Sequence, residues 1–509
     1  MVACPHALAS KAGVDALRAG GSAVDAALTA AATLGVIYPH MCGIGGDAFW
    51  LIYNASERKV AYLDGGGRAA ASATLERFTE KEIPFRGLVP ATLTTPGAVA
   101  SFCEAHAHYG KLSLARCLEP AIGYARDGFP VSERLNRWIG EAGGDLRRDP
   151  ASAALFLQGG ATIKNPNLAR TLQSIASNGR AGFYEGEVAA GLAKLGGFFT
   201  AKDLAAQDAR WGEPIKGSYK GVTIYETPPP TQGFTVLEML NLVEPLDLGP
   251  YQGPDHAHLL VQAKQIAYHD REGQLADPRF ADVPVAKLIS KPYAEQRRAL
   301  IDRKRALPWD KVPSYGSLAG DTVYVAAVDA EGNAASLIFS LYGVFGSCIT
   351  SAETGVVLQN RSAYFSLDPK HPNRLEPGKT PLHTLIASMA FKKEKLWAVL
   401  GCMGADGQPQ IHLQAYVAMI DFGRDIQEAV GGPRWLSGRF ALGEARDTLH
   451  IEARFPRATI EELERRGHLV DRWGDYSELA GHAHGITIGD NGELTGGYDP
   501  RSDGAALSS

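Results

Sequence analysis

One threonine in this 509-residue chain, Thr322, stands where a residue could act as a nucleophile. It follows a segment rich in proline, glycine and serine, residues 307–318, which we expect to be an exposed loop, and it opens an apolar run typical of a β-strand. If the chain were cut between Asp321 and Thr322, Thr322 would carry both a hydroxyl and a free α-amine. Because an α-amine has a pKa of about 8, it can take the hydroxyl proton and activate the oxygen.

Other readings of the reactive side chains stay open at this point. Taken alone, a threonine at the start of a strand is more often a β-former than a nucleophile. A cysteine nucleophile is conceivable because three cysteines flank glycines, but nothing in the local sequence lowers a thiol pKa; these are Cys42, Cys348 and Cys402.

Metal-dependent hydrolysis is a further alternative, suggested by three His-x-His pairs: His106/His108, His256/His258 and His482/His484. Residues two apart on a helix point about 200° away from each other, so a helical pair of this kind does not chelate one ion. No HExxH or Cys/His set supports a zinc site. We therefore predict an enzyme without a metal or an organic cofactor.

The composition is that of an ordinary globular protein. Apolar residues make up 45% and charged residues 21%, which argues against long disordered segments. The net charge of -5, with no run of Lys or Arg, argues against a nucleic-acid partner. Six cysteines without CxxC spacing indicate neither a disulfide framework nor a zinc ribbon. The N-terminus lacks a signal-peptide pattern and no segment is long and apolar enough for a membrane, so we expect a cytoplasmic protein.

The pattern of secondary structure indicates an α+β fold class. At about 150 residues per domain, the length allows three domains or one large layered fold. We predict a broken helix over residues 10–36 and mostly helical structure over about 75–300, with further helices at 410–422 and 459–466. Predicted strands cover residues 48–53, 60–64, 323–329, 335–341, 355–358, 388–391, 397–400 and 484–488. Strands and helices without regular βαβ alternation favour stacked α+β layers.

An ordered set of motifs resembles the γ-glutamyltransferase family of N-terminal-nucleophile hydrolases. The stretch from Thr322 to Asn333, followed by residues 340–347, is similar to the start of that family's small subunit. Further matching motifs occur in order along nearly the whole chain, at residues 7–13, 20–27, 43–46, 96–99, 127–129, 229–233, 277–278, 381–382 and 497–502.

The resemblance implies a fold and a maturation step. It implies a four-layer αββα sandwich and a proenzyme that cuts itself between Asp321 and Thr322. The products would be a large subunit, residues 1–321, and a small subunit, residues 322–509, which stay together as one fold and could form a homodimer of heterodimers. Thr322 would then attack a small-molecule amide, and water or an amine would release the acyl group.

The resemblance also assigns roles around the nucleophile. Ser340 matches a family threonine whose hydroxyl supports the nucleophile. Gly404 and Ala405 match a Gly-Gly turn whose N–H groups form the oxyanion hole, and alanine serves there if its backbone conformation permits.

Departures from the family pattern concern the substrate. Gly66 stands where γ-glutamyltransferases have an arginine that binds the substrate α-carboxylate, with Arg68 two residues on. Tyr364 stands where they have an aspartate that pairs with the α-ammonium, and Arg361 replaces a glutamine. His383 and Thr384 replace a serine pair, and Tyr342 replaces an asparagine.

These departures remove an anion and keep cationic groups, which we take to be Arg361, Arg68 and His383. Because burying an ammonium without a counter-charge is costly, we expect an amide without a free α-amine. Residues 38–52 resemble most closely the oxamate amidohydrolase branch, whose substrate is a small amide with a carboxylate. The sequence leaves two main activities open, hydrolysis of a small carboxylate-bearing amide such as oxamate and γ-glutamyl hydrolysis or transfer. A cephalosporin-acylase-like activity is the alternative to both.

Structural explanations exist for each of these side chains. Arg361 and Arg68 could pair only with structural carboxylates, His383 could be a satisfied loop histidine, and Tyr342 and Tyr364 could be packing residues. A chain that never matures could also serve as a non-catalytic binding scaffold. The intact set of Thr322, Ser340 and Gly404 argues against that scaffold.

Overall fold

The computed structural model describes residues 1–79, 82–86, 94–195, 199–307, 321–439 and 447–509. Its strands are β1 (Val2–Cys4), β2 (Asp47–Asn54), β3 (Lys59–Gly65), β4 (Phe129–Pro130), β5 (Thr162–Ile163), β6 (Arg210–Gly212), β7 (Ile215–Tyr219), β8 (Val222–Glu226), β9 (Asp321–Val328), β10 (Ala334–Tyr342), β11 (Ala387–Lys392), β12 (Lys395–Cys402), β13 (Trp435–Ser437), β14 (Leu449–Glu452), β15 (Val470–Trp473), β16 (Ala483–Ile488), β17 (Leu494–Tyr498) and β18 (Ala505–Leu507).

Its helices are α1 (Ala7–Arg18), α2 (Ala23–Ile37), α3 (Ala98–Tyr109), α4 (Leu114–Asp127), α5 (Glu133–Glu141), α6 (Gly143–Leu146), α7 (Pro150–Phe156), α8 (Pro166–Asn178), α9 (Ala181–Tyr184), α10 (Gly186–Ala193), α11 (Ala201–Ala205), α12 (Gly233–Val243), α13 (Pro254–Gln274), α14 (Val285–Leu288), α15 (Lys291–Arg298), α16 (Gln408–Asp421), α17 (Ile426–Gly431) and α18 (Arg457–Arg465).

Two antiparallel sheets stack face to face in the centre of the molecule. The first has seven strands in the order β18-β1-β9-β10-β2-β3-β6, and the second has six in the order β17-β16-β12-β11-β8-β7. An apolar core fills the space between them and includes Phe49, Leu51 and Tyr324 from the first sheet with Met389 and Val399 from the second. Burial of these side chains holds the two sheets together.

Helices cover both outer faces, so the predicted αββα sandwich is confirmed. Helices α1, α2 and α3 pack on the first sheet, and α12, α16 and α17 pack on the second. All fifteen residues of α2 are buried, and its alanine-rich sequence lets the helix lie close to the sheet and to α1 and α4. Ser22 and Asp25 form a capping box at its start, which confirms the predicted break after Gly20 and Gly21.

The strand pattern departs from the prediction in several places, and six strands have no predicted counterpart: β1, β13, β14, β15, β17 and β18. Residues 355–358 do not form a ladder strand; Val357 and Leu358 make only isolated bridges, to Thr350 and Gly45. Their burial explains the apolar run without a neighbouring strand to pair with. The region from 75 to 300 is more mixed than predicted, because it also contributes β4 to β8.

The hairpin of β9 and β10 lies at the centre of the first sheet and carries the predicted nucleophile. The predicted loop before it lies almost entirely outside the described residues. Ala334 pairs with Val328 next to the turn, while the register shifts between Phe339 and Tyr342 at the other end. No helix within the described ranges is long and apolar enough to cross a bilayer.

Candidate active site

The hydroxyls of Thr322 and Ser340 and the carbonyl of Asp321 form one hydrogen-bonded chain. Thr322 Oγ1 donates to Ser340 Oγ at 3.2 Å, and Ser340 Oγ donates to the Asp321 carbonyl oxygen at 2.5 Å. The backbone N–H of Tyr342 also donates to Ser340 Oγ, at 2.7 Å. Because a carbonyl oxygen can only accept, the Ser340 hydroxyl directs its own proton to Asp321 and accepts from Thr322 and Tyr342. The three groups are buried, and Asp321 and Thr322 lie in one strand, so this is the geometry of the uncleaved chain.

The irregular end of the β9–β10 hairpin creates this arrangement. Phe339 pairs with Val323, but the next pair in the ladder joins Tyr342 to Asp321, so Ser340 bulges next to the Asp321–Thr322 bond. Tyr342 has a φ of 80°, a left-handed conformation that is costly for a residue with a bulky side chain. The bulge re-aims the Ser340 hydroxyl away from a regular ladder position.

Arg361 places a buried positive charge beside Ser340, the hydrogen-bond partner of Thr322. Its Nη1 donates to Thr384 Oγ1 at 3.0 Å, and its Nη2 lies 3.4 Å from Ser340 Oγ. The guanidinium lies 4.5 Å from the ring of Tyr342 and 5.6 Å from the ring of Tyr364. Arg361 is fully buried, yet no carboxylate in the described part of the chain lies within ion-pair distance of it. Burial lowers the pKa of Arg361, and the nearby negative charge of Asp47 opposes that shift.

Asp47 connects several segments around the site. Its Oδ1 accepts from the N–H groups of Gly67 and Gly97 and from Gln359 Nε2, at 2.8, 3.2 and 3.0 Å. Its Oδ2 lies 2.9 Å from His383 Nε2. Its partners are up to 336 residues away, so no local signal could have identified this role.

His383 lies in the site but does not supply the positive charge that we expected. Burial and the neighbouring Arg361 hold the pKa of the imidazole well below its ordinary value of 6.5. The ring is therefore neutral, and its Nε2–H donates to Asp47. Its Nδ1 is buried and has no hydrogen-bond partner among the described residues. The ring edge packs against Phe49.

The turn at Gly404 and Ala405 has an unusual backbone conformation. Gly404 has a φ of 148° and Ala405 a φ of 45°, and both are buried. Gln232 ties the turn to the Arg361 side of the site, because its Nε2 donates to the carbonyls of Thr384 and Ala405 at 2.8 and 3.0 Å. A left-handed alanine is strained, so its persistence here fits a constrained functional turn.

Tyr364 is bound to the same turn. Its hydroxyl donates to Asp406 Oδ2 at 3.0 Å, while the buried Arg271 pairs with the other oxygen of Asp406. Tyr342 packs against Tyr364 on one side and Phe85 on the other, with ring centroids 4.5 and 5.0 Å apart. The two tyrosines therefore line the site as well as pack against each other. Both oxygens of Asp406 already have partners, which are Arg271 and Tyr364.

Arg68 does not lie with the other predicted substrate contacts. Its guanidinium pairs with Asp208 and donates to the carbonyl of Ala206 at 3.1 Å, and it does not contact the residues around Thr322. Its side chain follows these partners toward the surface, because the segment before β6 supplies a carboxylate there. Of the two arginines, Arg361 is therefore the one that lies next to Ser340 and Thr322.

Of the six histidines in the three His-x-His pairs, His106 lies in a group of possible metal ligands in the described part of the chain. One group outside the site brings together possible ligand atoms, those of Asp25, His106 and Cys117, within 4.8 Å of one another. Asp25 already accepts from the N–H groups of Ser22, Lys111 and Leu112, and His106 Nε2 lies 2.8 Å from the Leu112 carbonyl. These bonds give the group a structural role at the start of α2.

Comparison with known proteins identifies the family. The model of the family described as gamma-glutamyltranspeptidase matches residues 9–509. The chain belongs to this family and is an enzyme of the γ-glutamyltransferase class of N-terminal-nucleophile hydrolases and acyltransferases.

Relatives within the family carry several activities in their names. The chain is 40% identical to the glutathione hydrolase-like YwrD proenzyme of Bacillus subtilis, over 100% of this chain and 98% of that protein. It is 39% identical to the oxamate amidohydrolase proenzyme of Klebsiella pneumoniae, over 99% and 98%. The fold matches cephalosporin acylase from Bacillus halodurans with a TM-score of 0.91 and 35% identity, over 100% of this chain and 95% of that one.

Proposed function

We propose that this protein is a proenzyme that cuts itself before Thr322 and then uses Thr322 to cleave an amide through an acyl-enzyme. The hydrogen-bonded chain from Thr322 through Ser340 to the Asp321 carbonyl is the observation that carries the proposal. It places the nucleophile and a polarising hydroxyl at the same peptide bond. The products are residues 1–321 and residues 322–509, which remain one fold because β9 and β10 lie between strands of the large segment.

Self-cleavage begins when Thr322 Oγ1 attacks the carbonyl carbon of Asp321. Negative charge develops on the Asp321 oxygen, where the Ser340 hydroxyl already donates, so this hydrogen bond strengthens as the bond forms. The C–N bond breaks, and the nitrogen takes a proton and becomes the α-amine of Thr322. Water then hydrolyses the ester between Asp321 and Thr322 Oγ1, which frees the hydroxyl and a new carboxylate.

The mature site uses the same threonine on an external amide. The α-amine of Thr322 takes the hydroxyl proton, and Oγ1 attacks the substrate carbonyl. The N–H groups of Gly404 and Ala405 stabilise the oxyanion, and the leaving amine takes the proton. Water or a second amine then resolves the acyl-enzyme, giving hydrolysis or transfer.

The substrate class follows from the charges around Thr322. Arg361 is a buried guanidinium without a carboxylate within ion-pair distance among the described residues, so a substrate carboxylate would provide its counter-charge. Asp47 and Asp406 are engaged by His383 and by Arg271 with Tyr364, so neither is free to pair with an ammonium. These contacts favour a small amide that carries a carboxylate and lacks an α-amine, such as oxamate. Tyr342, Tyr364, His383 and Thr384 would line its site.

A direct comparison of substrates tests this class. We expect self-cleaved enzyme to hydrolyse oxamate in preference to γ-glutamyl-p-nitroanilide and to simple acyl amides without a carboxylate. Turnover of γ-glutamyl-p-nitroanilide together with tight glutathione binding would overturn the charge argument and restore the γ-glutamyl alternative.

A cephalosporin-acylase-like activity is the second candidate. The match to the Bacillus halodurans cephalosporin acylase over the whole chain favours it. Release of the side chain of a cephalosporin, without turnover of oxamate, would support this candidate over the first.

A further inference from the structure

The orientation of Arg361 restricts where a substrate carboxylate can bind. The Nε and Nη2 groups share one edge of the planar guanidinium, which is the edge that takes a carboxylate with two parallel hydrogen bonds. Nη2 faces Ser340 Oγ at 3.4 Å, and Nε is buried without a hydrogen-bond partner among the described residues. On the opposite edge Nη1 is already bonded to Thr384. Along the Nε/Nη2 edge, Nη2 makes one long hydrogen bond to Ser340 and Nε has no partner among the described residues, so this edge faces the Ser340 side of the site.

The faces of the guanidinium are less accessible than this edge. The ring of Tyr342 lies 4.5 Å from the guanidinium carbon and that of Tyr364 lies 5.6 Å from it. A carboxylate consequently approaches along the Nε/Nη2 edge, close to Ser340.

This edge is near the attacking oxygen. Thr322 Oγ1 lies 3.2 Å from Ser340 Oγ, which lies 3.4 Å from Arg361 Nη2, so Oγ1 and Nη2 are at most about 6.6 Å apart, the sum of those distances. A reacting carbonyl carbon lies about 3–3.5 Å from its nucleophile. A carboxylate oxygen lies about 2.8 Å from the guanidinium nitrogen that binds it. These two lengths add up to about 5.8–6.3 Å, so less than about 1 Å of the span is left along a straight line. A carboxylate therefore reaches this edge only when a short, bent connection joins it to the reacting carbonyl.

A carboxylate held farther from the carbonyl has no comparable place at Gly66. An added Cβ on Gly66 would lie 2.9 Å from Thr380 Cγ2, 3.0 Å from Asp64 Oδ1 and 3.1 Å from Phe49 Cζ. The position is closely packed, so a long cationic side chain does not fit there without rearrangement. The buried cation of the site is thus the one beside Ser340.

We infer that Arg361 acts as a ruler for the acyl group, so that the preferred substrates carry their carboxylate directly on the amide carbonyl or one carbon away. This inference rests on the proposed function, because it assumes that Thr322 attacks the amide. It goes beyond that function by setting the length of the acyl group. A γ-glutamyl chain has three carbons between the two groups, so its carboxylate would have to fold back to reach the same edge.

A series of acid amides that differ only in length tests the ruler. The series is oxamate, malonamate, succinamate and glutaramate, which have zero to three intervening carbons, and kcat/KM is measured on self-cleaved wild-type protein. We expect the highest value for oxamate or malonamate and a fall of at least about tenfold at succinamate, since a mismatched carboxylate leaves Arg361 unpaired. Equal values along the series, or the highest value for glutaramate, would overturn the ruler.

Inhibition of the enzyme by dicarboxylates of different length provides a second readout. Oxalate, malonate, succinate and glutarate should inhibit wild type in the same order of affinity as the amides react. Arg361→Gln should flatten both series, whereas Arg68→Gln should leave both unchanged, because Arg68 pairs with Asp208 away from the nucleophile.

The proposed substrate class and the inferred length of the acyl group can be contradicted separately. If self-cleaved protein acts on γ-glutamyl-p-nitroanilide or a cephalosporin and on none of the four acid amides, the proposed substrate class is wrong and the ruler falls with it. If all four amides react with no preference for the short ones, the substrate class stands and only the ruler is wrong.

Discussion

Ser340 and Asp47 lie directly opposite each other in the register of β10 and β2. The hydroxyl that bonds to both Thr322 and Asp321 is therefore a cross-strand neighbour of the carboxylate that binds His383, Gln359, Gly67 and Gly97. The pairing connects the nucleophile to the loops that wall the site. A substitution at Asp47 should consequently change the rate of the reaction, although Asp47 does not itself contact the substrate.

Asp47 should contribute to the pH dependence of the reaction. Burial raises its pKa from 3.8 to about 6, against the opposing charge of Arg361 and the hydrogen bonds it accepts. The ionised carboxyl thus costs stability: the free energy of unfolding falls as pH rises from about 4 to about 6, and the cost is fully present above that. Below pH 6 the Asp47 carboxyl is mostly protonated and no longer presents a full negative charge to His383 and Arg361. We therefore expect kcat/KM to fall below pH 6.

The variant Asp47→Asn isolates this effect. It should lower kcat/KM at pH 7 and remove the inflection near pH 6. The separate inflection that we expect from the α-amine of Thr322, near pH 8, should remain. An unchanged profile in Asp47→Asn would show that Asp47 does not position the site.

Ser340→Ala should slow self-cleavage by two to three orders of magnitude, because it removes the hydroxyl donor from the carbonyl on which charge develops; a loss of about 10²–10³ is typical of one such donor. Ser340→Thr keeps the hydroxyl and should retain most of the rate. Ser336→Ala is the matched control, since Ser336 is a buried serine of the same strand that bonds to Tyr324 and to the Ser388 carbonyl. Gel densitometry of the precursor over time measures all three, and equal slowing in Ser336→Ala and Ser340→Ala would contradict the role of Ser340.

Arg361→Gln should raise KM for oxamate by about 10–100-fold, as expected when a charged hydrogen bond of about 1.5–3 kcal/mol is lost. Arg68→Gln should leave KM within twofold, because it removes only a partly exposed ion pair with Asp208. Steady-state kinetics on the self-cleaved proteins distinguish the two arginines. A KM effect in Arg68→Gln alone would reverse the assignment.

The chain segment after β17 contributes a buried ionic network that should be important for stability. Asp499 accepts from Arg434 Nη2 at 2.8 Å and from Arg501 Nη1 at 2.9 Å, and all three side chains are buried. Burial raises the pKa of Asp499, but Arg501, Arg434 and two backbone N–H groups outweigh it and hold the pKa well below its usual range. The stabilisation is thus present above about pH 4 and is lost as the pH falls below that.

We expect Asp499→Asn to lower the free energy of unfolding at pH 7 by about 3–5 kcal/mol, because it removes the carboxylate that pairs with the buried Arg434, whereas Arg501 keeps its pair with Glu452. Asp490→Asn, at an exposed position, should change it by less than about 0.5 kcal/mol. Urea denaturation of the two variants measures the difference. Equal stability would mean that the network contributes nothing net.

The sequence predicted those features that depend on local patterns or on family motifs. The β9–β10 hairpin follows from two apolar runs around a Glu-Gly-Asn turn. The resemblance to the family, and not the hairpin pattern, indicated that Ser340 lies next to Thr322. The strand predicted at residues 355–358 is wrong, because a buried β-branched run has the pattern of a strand whether or not a neighbouring strand is available to pair with it.

Long-range contacts account for what the sequence could not predict. Asp47 meets His383 across 336 positions, and Arg68 turns toward Asp208, 140 positions away. The charge state of His383 depends on its burial and on Arg361, neither of which the local sequence reveals. The sequence therefore identified the residue types of the site but not which cation faces the nucleophile.

The central claim is that Thr322 cuts the chain in front of itself. Purified wild type, Thr322→Ala and Thr322→Ser are compared on a denaturing gel and by intact-mass analysis. The account predicts that wild type yields two pieces of about 34 and about 20 kDa, as hydroxyl attack at this bond requires. It predicts one 54.3 kDa chain for Thr322→Ala, and slower formation of the same two pieces for Thr322→Ser. An intact wild type, or cleavage that persists in Thr322→Ala, would contradict it.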